Sequence, residues 1–178
     1  MNRNKCILLI ISLILFSAII VFTMIKLTQT NKIELIQFVN DISTDNLTVL
    51  EKMYVDVDND GQDESIELFT SAKRDEDGKM GWDDGQQWLL LVNDEGKSFP
   101  FFDGYVQSGQ LEFWVSTFNK SQKSSPEDID LEKHIFVMKT GNAIQLSGYS
   151  WDKQNLCFKK EILFDPPNQW NVISSYKY

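Results

Sequence analysis

The first hydrophobic pattern along the chain is an unbroken apolar run near its N-terminus. Residues 6–25 contain no charged side chain, and as a helix they would span about 30 Å, the hydrocarbon thickness of a bilayer. Arg3 and Lys5 precede the run, and the positive-inside bias keeps such an end in the cytoplasm. We therefore predict a cytoplasmic tip and an uncleaved, single-pass transmembrane anchor over residues 1–27. A cleaved signal peptide is the alternative, and it would also export the rest of the chain.

Helical spacing follows the predicted anchor. Apolar residues recur about every three positions from Ile33 to Ile42, which predicts a short helix over residues 32–42. This helix would belong to a juxtamembrane linker over residues 28–45. It would end at the polar residues 43–46.

From residue 46 onwards, apolar and polar residues alternate in short runs rich in aromatic and β-branched side chains, as in strands. The predicted strands cover residues 53–57, 66–68, 88–92, 111–118, 134–139, 143–151, 156–164 and 170–176. Turn-forming clusters occupy residues 93–96, 103–104, 140–142 and 165–168, and residues 120–130 are predicted as a long loop. We predict one mainly β extracytoplasmic domain over residues 46–178, built as an antiparallel sandwich, a meander or a partial barrel.

Charge narrows the choice of partners. The chain has 26 acidic and 17 basic residues and a net charge of −9. Nucleic acid is excluded as a partner because its affinity for proteins comes from Lys and Arg on phosphates. The acidic balance is compatible with cation binding or simply with solubility. One acidic cluster, at residues 75–78 and 83–85, lacks regular spacing and is predicted as a solvated hairpin loop that could lend a ligand to a neighbouring site.

The densest chemical signal is the acidic stretch DVDNDGQDE at residues 56–64. Asp56, Asp58 and Asp60 fall at alternate positions, and Gly61 permits the positive φ of a sharp reversal. The three carboxylates would curl around one point, where a divalent cation relieves their repulsion. Calcium suits such a loop because it accepts about six to eight oxygen ligands in flexible geometry. An acidic β-turn without a metal is the alternative.

An EF-hand is one kind of loop that this spacing fits. Asp56, Asp58, Asp60, Gly61 and Glu67 match five of its characteristic positions. The flanking residues, however, alternate with the period of strands, and an EF-hand needs helices on both sides. The flanks therefore favour a loop between two strands.

Residues 54–68, YVDVDNDGQDESIEL, resemble the calcium loop of FG-GAP/VCBS-type repeats, in which D-x-D-x-D-G-x-x-D/E joins two strands. The resemblance covers the core of one repeat, and it implies a small exported β-domain with a single such loop. The ligands that it implies are the side chains of Asp56, Asp58, Asp60 and Glu64 and the carbonyl of Gln62. Apart from the resemblance, Glu67 or a water is a further candidate to complete the shell of a cation.

These features favour a non-catalytic, membrane-tethered module that calcium stabilises. The alternative is a domain that binds a wall polymer, a carbohydrate or a protein, since aromatic side chains can form binding platforms. The tryptophans that could serve this role, or could pack in the core, are Trp82, Trp88, Trp114, Trp151 and Trp170. The expected partners are the membrane, through the anchor, and an extracytoplasmic protein or wall polymer.

An enzyme is the third and least favoured class. His134 is the only histidine, and it lies in a strand-like segment where a structural role is expected. The chain contains no nucleophile elbow, Walker loop, zinc-protease motif or dinucleotide fingerprint. Cys157 is expected to be an inert strand residue that cannot pair with Cys6 across the membrane. No catalytic residue is predicted.

Overall fold

Two antiparallel β-sheets make up most of the computed structural model, which describes residues 33–119 and 131–167. The prediction of a mainly β domain with antiparallel pairing is therefore confirmed. The predicted anchor, the loop at 120–130 and the strand at 170–176 lie outside the described residues. Within residues 33–119 and 131–167, no helix has the length and apolar character needed to cross a membrane.

The described part of the chain forms eleven strands, numbered in chain order. They are β1 (Ile33–Ile36), β2 (Thr48–Val55), β3 (Glu64–Thr70), β4 (Lys73–Arg74), β5 (Met80–Gly81), β6 (Gly85–Asp94), β7 (Lys97–Gln107), β8 (Leu111–Asn119), β9 (Leu131–Lys139), β10 (Gln145–Asp152) and β11 (Cys157–Phe164). The first sheet has the order β1-β11-β10-β9-β8, and the second has the order β2-β3-β6-β7. The short strands β4 and β5 pair with each other.

One apolar core joins the two sheets. Phe101 of β7 stacks on Tyr149 of β10 with ring centroids 4.1 Å apart, and the Tyr149 hydroxyl donates a 2.7 Å hydrogen bond to the Phe101 carbonyl. Phe99 packs edge-on against Phe158 of β11 at 5.1 Å. These contacts place the two sheets face to face, with large aromatic side chains between them.

The apolar run in β6 is buried on both faces of its sheet. Trp88, Leu90 and Val92 belong to the core between the sheets. Leu89 and Leu91 point the other way, where they form a second cluster with Phe69 that Ile42 and Leu47 partly cover. Burial on both sides explains why β6 is continuously apolar, whereas a strand with one wet face alternates.

The predicted helix over residues 32–42 is wrong. Ile33–Ile36 form β1, which pairs with β11, and Val39 forms a backbone bridge with Ser98. Ile36 is the one residue of this strand that is buried in the core. The strand prevails because it satisfies its backbone groups on the open edge of β11 and covers that edge.

The predicted turn at residues 103–104 is also wrong, since both residues lie inside β7. This strand was missed because it contains Pro100 and Gly104, which usually interrupt strands. β7 is at the edge of its sheet, where a missing N–H is tolerated. The register shifts between Leu90 and Leu91, opposite Pro100, and such a bulge accommodates the irregular backbone.

Candidate metal centre

The acidic loop joins two paired strands, as the alternating flanks predicted. Val55 at the end of β2 pairs with Glu64 at the start of β3, and this pair closes the loop. Asn59 and Gly61 adopt positive φ angles of 60° and 97°, conformations that Asn and Gly tolerate best. The flanking strands exclude an EF-hand, whose loop lies between helices.

Hydrogen bonds inside the loop turn its backbone around the aspartates. The Asp60 N–H donates to Asp58 Oδ1 at 3.0 Å, and the Gln62 N–H donates to Asp60 Oδ1 at 2.8 Å. Short polar side chains that accept from the backbone two residues later are a standard way of forming tight turns. The alternate spacing of the aspartates therefore supports the turn and also brings their carboxylates together.

Four carboxylates converge on one point. Asp56, Asp58, Asp60 and Glu64 each offer one oxygen, and these four oxygens all lie within 4.8 Å of one another. Calcium binds oxygen at about 2.3–2.6 Å, so oxygens on opposite sides of the ion are about 5 Å apart. Magnesium, with bonds of about 2.0–2.1 Å, requires a closer set, about 4 Å across. An upper limit of 4.8 Å is compatible with a calcium shell.

Glu64 is the buried member of this group, with only 3% of its surface exposed. Its Oε2 accepts a 2.5 Å hydrogen bond from the Val57 N–H. Burial raises the pKa of Glu64 to about 7, the Val57 N–H opposes this rise, and the charges of Asp58, Asp94 and Asp56 add to it. A cation beside the carboxylate would offset the cost of ionising it at this position.

The pKa of Asp58 is also raised. Burial is the main cause that raises its pKa, while the hydrogen bond from the Asp60 N–H lowers it and the nearby charges of Asp60, Asp94 and Asp56 raise it. Asp94, at the end of β6, thus acts on both Asp58 and Glu64. Asp94 has no local signal in the sequence for this role, because only the pairing of β3 with β6 brings it near the loop.

Asp56 has one oxygen with a cationic neighbour and one without a partner. Lys133 Nζ lies 3.9 Å from Asp56 Oδ2 and also donates to the Asp56 carbonyl. Asp56 Oδ1 is buried and has no hydrogen-bond partner among the described residues. An unpaired buried oxygen typically costs about 1–3 kcal/mol. A metal ion within the group of four carboxylates would supply the missing partner.

The loop also contacts the opposite sheet. Lys133 belongs to β9, and the Asn59 side-chain amide donates to the Leu131 carbonyl at the start of that strand, at 3.2 Å. Lys133 could not be predicted as a neighbour of the site, because a lysine in an ordinary strand gives no local signal of such a role. These contacts tie the position of the loop to the packing of the two sheets.

The two remaining predicted ligands differ in outcome: the Gln62 carbonyl stays a prediction, whereas Glu67 stands apart from the four carboxylates. Gln62 lies in the loop, where its side-chain amide donates to Glu95 Oε1 at 2.9 Å. Glu67 lies farther along β3 and forms an ion pair with Lys52 at 2.6 Å, so it is not one of the converging carboxylates. The acidic cluster at 75–78 forms the turn between β4 and β5, where Asp75 Oδ1 accepts from the Lys79 N–H.

The pKa of Glu64 makes the stability of the cation-free protein depend on pH. Its carboxyl has a pKa of about 7 when folded, against 4.5 for an ordinary glutamate. The folded state therefore binds more protons between these values, and stability is full below about pH 4.5 and falls as the pH rises through about 7. We expect urea denaturation in the presence of a chelator to give a lower free energy of unfolding at about pH 7.5 than at about pH 5.

Glu64→Gln should reduce the fall in stability between pH 5 and 7.5, and the raised pKa of Asp58 should leave a smaller remainder. Asp77→Asn, which alters an exposed carboxylate in the β4–β5 turn, should keep the wild-type profile. Asp152 does not interfere. Hydrogen bonds from Asn155 and Lys159 lower its pKa to about 2, against 3.8 for an ordinary aspartate. The stability that the ionised Asp152 contributes is therefore lost only at more acidic pH, as the pH falls from about 4 through about 2. Identical wild-type and Glu64→Gln profiles between pH 5 and 7.5 would contradict the assignment.

The histidine and the cysteine of the described region have structural surroundings. His134 Nε2 lies 3.1 Å from Glu132 Oε2, and its ring contacts Phe118 and Phe136. Cys157 is buried in β11, and burial raises the pKa of its thiol, which disfavours the nucleophilic thiolate.

Comparison of the chain with protein-family models, with curated proteins and with solved structures finds no significant match. The chemistry of the site therefore has to be judged from its own geometry.

Proposed function

We propose that this protein is a non-catalytic module, tethered to the outer side of a membrane by residues 6–25, whose β2–β3 loop binds calcium. The observation that carries the metal assignment is the convergence of Asp56, Asp58, Asp60 and Glu64 within 4.8 Å. The apolar run and the basic residues before it support the tether.

The ligand set favours a hard cation. All four groups offer oxygen, and the group contains no nitrogen or sulfur ligand, which is the preference of calcium rather than of zinc or copper. Lys133 offsets part of the charge of Asp56. Burial is the main cause of the raised pKa values of Glu64 and Asp58, and the charges of nearby carboxylates add to it, so a cation within the group would favour the ionised form of both.

Calcium at this position would act on the structure of the domain. The loop closes the β2–β3 hairpin and contacts β9 through Asn59 and Lys133. An ion that fixes the loop would therefore also stabilise the packing of the two sheets against each other. Extracytoplasmic calcium modules function with dissociation constants of about 10⁻⁴–10⁻³ M. A site of this class would be filled outside the cell and largely empty in the cytoplasm.

The test is calcium titration of the full-length chain in detergent, followed by calorimetry and thermal melting. Calcium at ten times its dissociation constant should stabilise the protein by about 1.4 kcal/mol, a rise in Tm of about 3–5 °C for a protein of this size. Magnesium should bind at least about tenfold more weakly, because it demands near-ideal octahedral geometry and gives up its water ligands reluctantly.

The double variant Asp58→Asn/Asp60→Asn should abolish this response, since its amide oxygens still accept the turn hydrogen bonds but carry no charge. Asp75→Asn/Asp77→Asn is the matched control. It removes the same charge from the β4–β5 turn and preserves the bond from the Lys79 N–H to residue 75. Equal calcium responses in the two double variants, or no response in the wild type, would refute the metal site.

A further inference from the structure

A cavity of about 380 Å³ lies at the end of the second sheet where β6 begins. Its walls come from the segment before β6 and from the connection between β7 and β8, which the pairing of Gly85 with Gln107 brings together. The acidic loop lies near the other end of β6, beside Asp94. The cavity is therefore separate from the candidate metal centre, and its volume falls in the range of small-molecule sites.

Two stacked tryptophans form one wall of the cavity. The rings of Trp82 and Trp88 have centroids 5.7 Å apart and are inclined by only 10°. Trp88 is 1% exposed, whereas Trp82 is 41% exposed. Trp82 is thus partly exposed, and the face of its indole that stacks on Trp88 is supported by a fixed core residue. Aromatic surfaces of this kind bind the apolar faces of ligands at little cost in conformational entropy.

The same cavity is lined by two residues with unsatisfied polar atoms. Trp88 Nε1 and Gln110 Oε1 are buried and have no hydrogen-bond partner among the described residues. The first is a donor and the second an acceptor. Gln110 is held in place, because its side-chain amide donates to Glu112 and its backbone bonds to Thr140. Native structures rarely leave such groups unpaired, and each exception requires an explanation.

The rim of the cavity is polar and acidic. Asp83 and Asp84 are exposed there, and the Ser108 N–H donates a 2.7 Å hydrogen bond to the Asp84 carbonyl, which joins the two sides of the rim. Carboxylates accept hydrogen bonds from hydroxyl groups and repel anions. The rim therefore selects against phosphorylated or carboxylated ligands.

From these features we propose that the cavity binds a neutral saccharide. The C–H face of a sugar ring would rest on Trp82, and its hydroxyl or acetamido groups would pair with Trp88 Nε1 and Gln110 Oε1, because such groups both donate and accept. Hydroxyl groups at the rim would donate to Asp83 and Asp84. A quaternary ammonium ligand fits less well, since it can stack on an indole but accepts no hydrogen bond from Trp88.

The test uses the full-length chain in a detergent without a sugar headgroup, since an alkyl glycoside would compete for the cavity. Isothermal titration with chitotriose and with cellotriose should show saturable binding of at least one of them, and choline should not bind. Trp82→Ala should weaken saccharide binding about tenfold or more, because the stacking surface is lost.

Trp114→Ala is the matched control for the tryptophan deletion. Trp114 is 38% exposed and also stacks on an aromatic neighbour, Phe136, but it lies on β8, away from the residues that line the cavity. Its removal should leave saccharide affinity unchanged. Gln110→Leu provides a second variant inside the cavity, and it should weaken binding by removing the acceptor.

The saccharide proposal is overturned if neither trisaccharide binds, if choline binds instead, or if Trp82→Ala and Trp114→Ala lose affinity equally. Saccharide binding should not depend on calcium. Binding should persist in a chelator and in Asp58→Asn/Asp60→Asn. A calcium response without saccharide binding rejects the cavity proposal alone, and the reverse result rejects only the metal centre.

Discussion

Replacing Phe99 by alanine should lower the free energy of unfolding by about 3–5 kcal/mol. Phe99 is completely buried between the two sheets, and its ring contacts Phe38, Trp151 and Phe158 edge-on. Those neighbours come from different parts of the chain and cannot all collapse into the space that the ring would leave. The loss would be a large fraction of the about 5–15 kcal/mol that stabilises a typical domain.

Urea denaturation of the full-length chain, followed by circular dichroism, measures this effect. Tyr105→Ala is the control, because Tyr105 is an aromatic residue on the same strand but is 77% exposed. It should cost less than about 1 kcal/mol, the range of strand propensity alone. Similar losses in the two variants would mean that Phe99 is not at the centre of the core.

Gly109→Ala should destabilise the protein by about 3 kcal/mol, or prevent folding, although it adds only one methyl group. A Cβ atom at this position would lie 2.1 Å from the Thr140 carbonyl oxygen and 2.5 Å from Gly141 Cα. Both obstacles are backbone atoms, and the hydrogen bonds between Thr140 and Gln110 hold the two loops together. The methyl group can be accommodated only if these loops separate.

Gly85→Ala is the matched control for this substitution. A Cβ atom at Gly85 meets no atom within 4 Å, and alanine generally costs less conformational entropy than glycine on folding. Thermal melting should therefore show Gly85→Ala close to the wild type and Gly109→Ala far below it. Equal melting temperatures would show that the 109–141 contact is looser than described.

The sequence was sufficient to predict most strands and the local shape of the acidic loop. Asp56, Asp58 and Asp60 owe their arrangement to neighbours within a few residues, through bonds such as that from the Gln62 N–H to Asp60. Short-range patterns carry this kind of information well. The same locality explains why the buried run in β6 was recognised as a strand.

The features that could not be predicted from the sequence depend on contacts between residues that are far apart in the chain. Lys133 reaches the Asp56 carbonyl across 77 positions of the chain, and Asp94 approaches Glu64 only because β3 pairs with β6. The cavity likewise forms where β6 pairs with β7, because this pairing brings Trp82 and Gln110 to the walls of the same cavity. No periodicity within a single segment reports such neighbours.

The strand β1 also has a mechanical consequence. It is the first described element after the predicted anchor and is only four residues long. It is the edge strand of its sheet, where it pairs with β11. Lys160 of β11 reinforces this attachment through a 3.0 Å ion pair with Glu34. Tension applied from the N-terminal side, as the proposed tether would apply it, would load this short strand before any other described part of the domain. Detachment of β1 is therefore the first yielding step to expect when the domain is pulled from its N-terminal end.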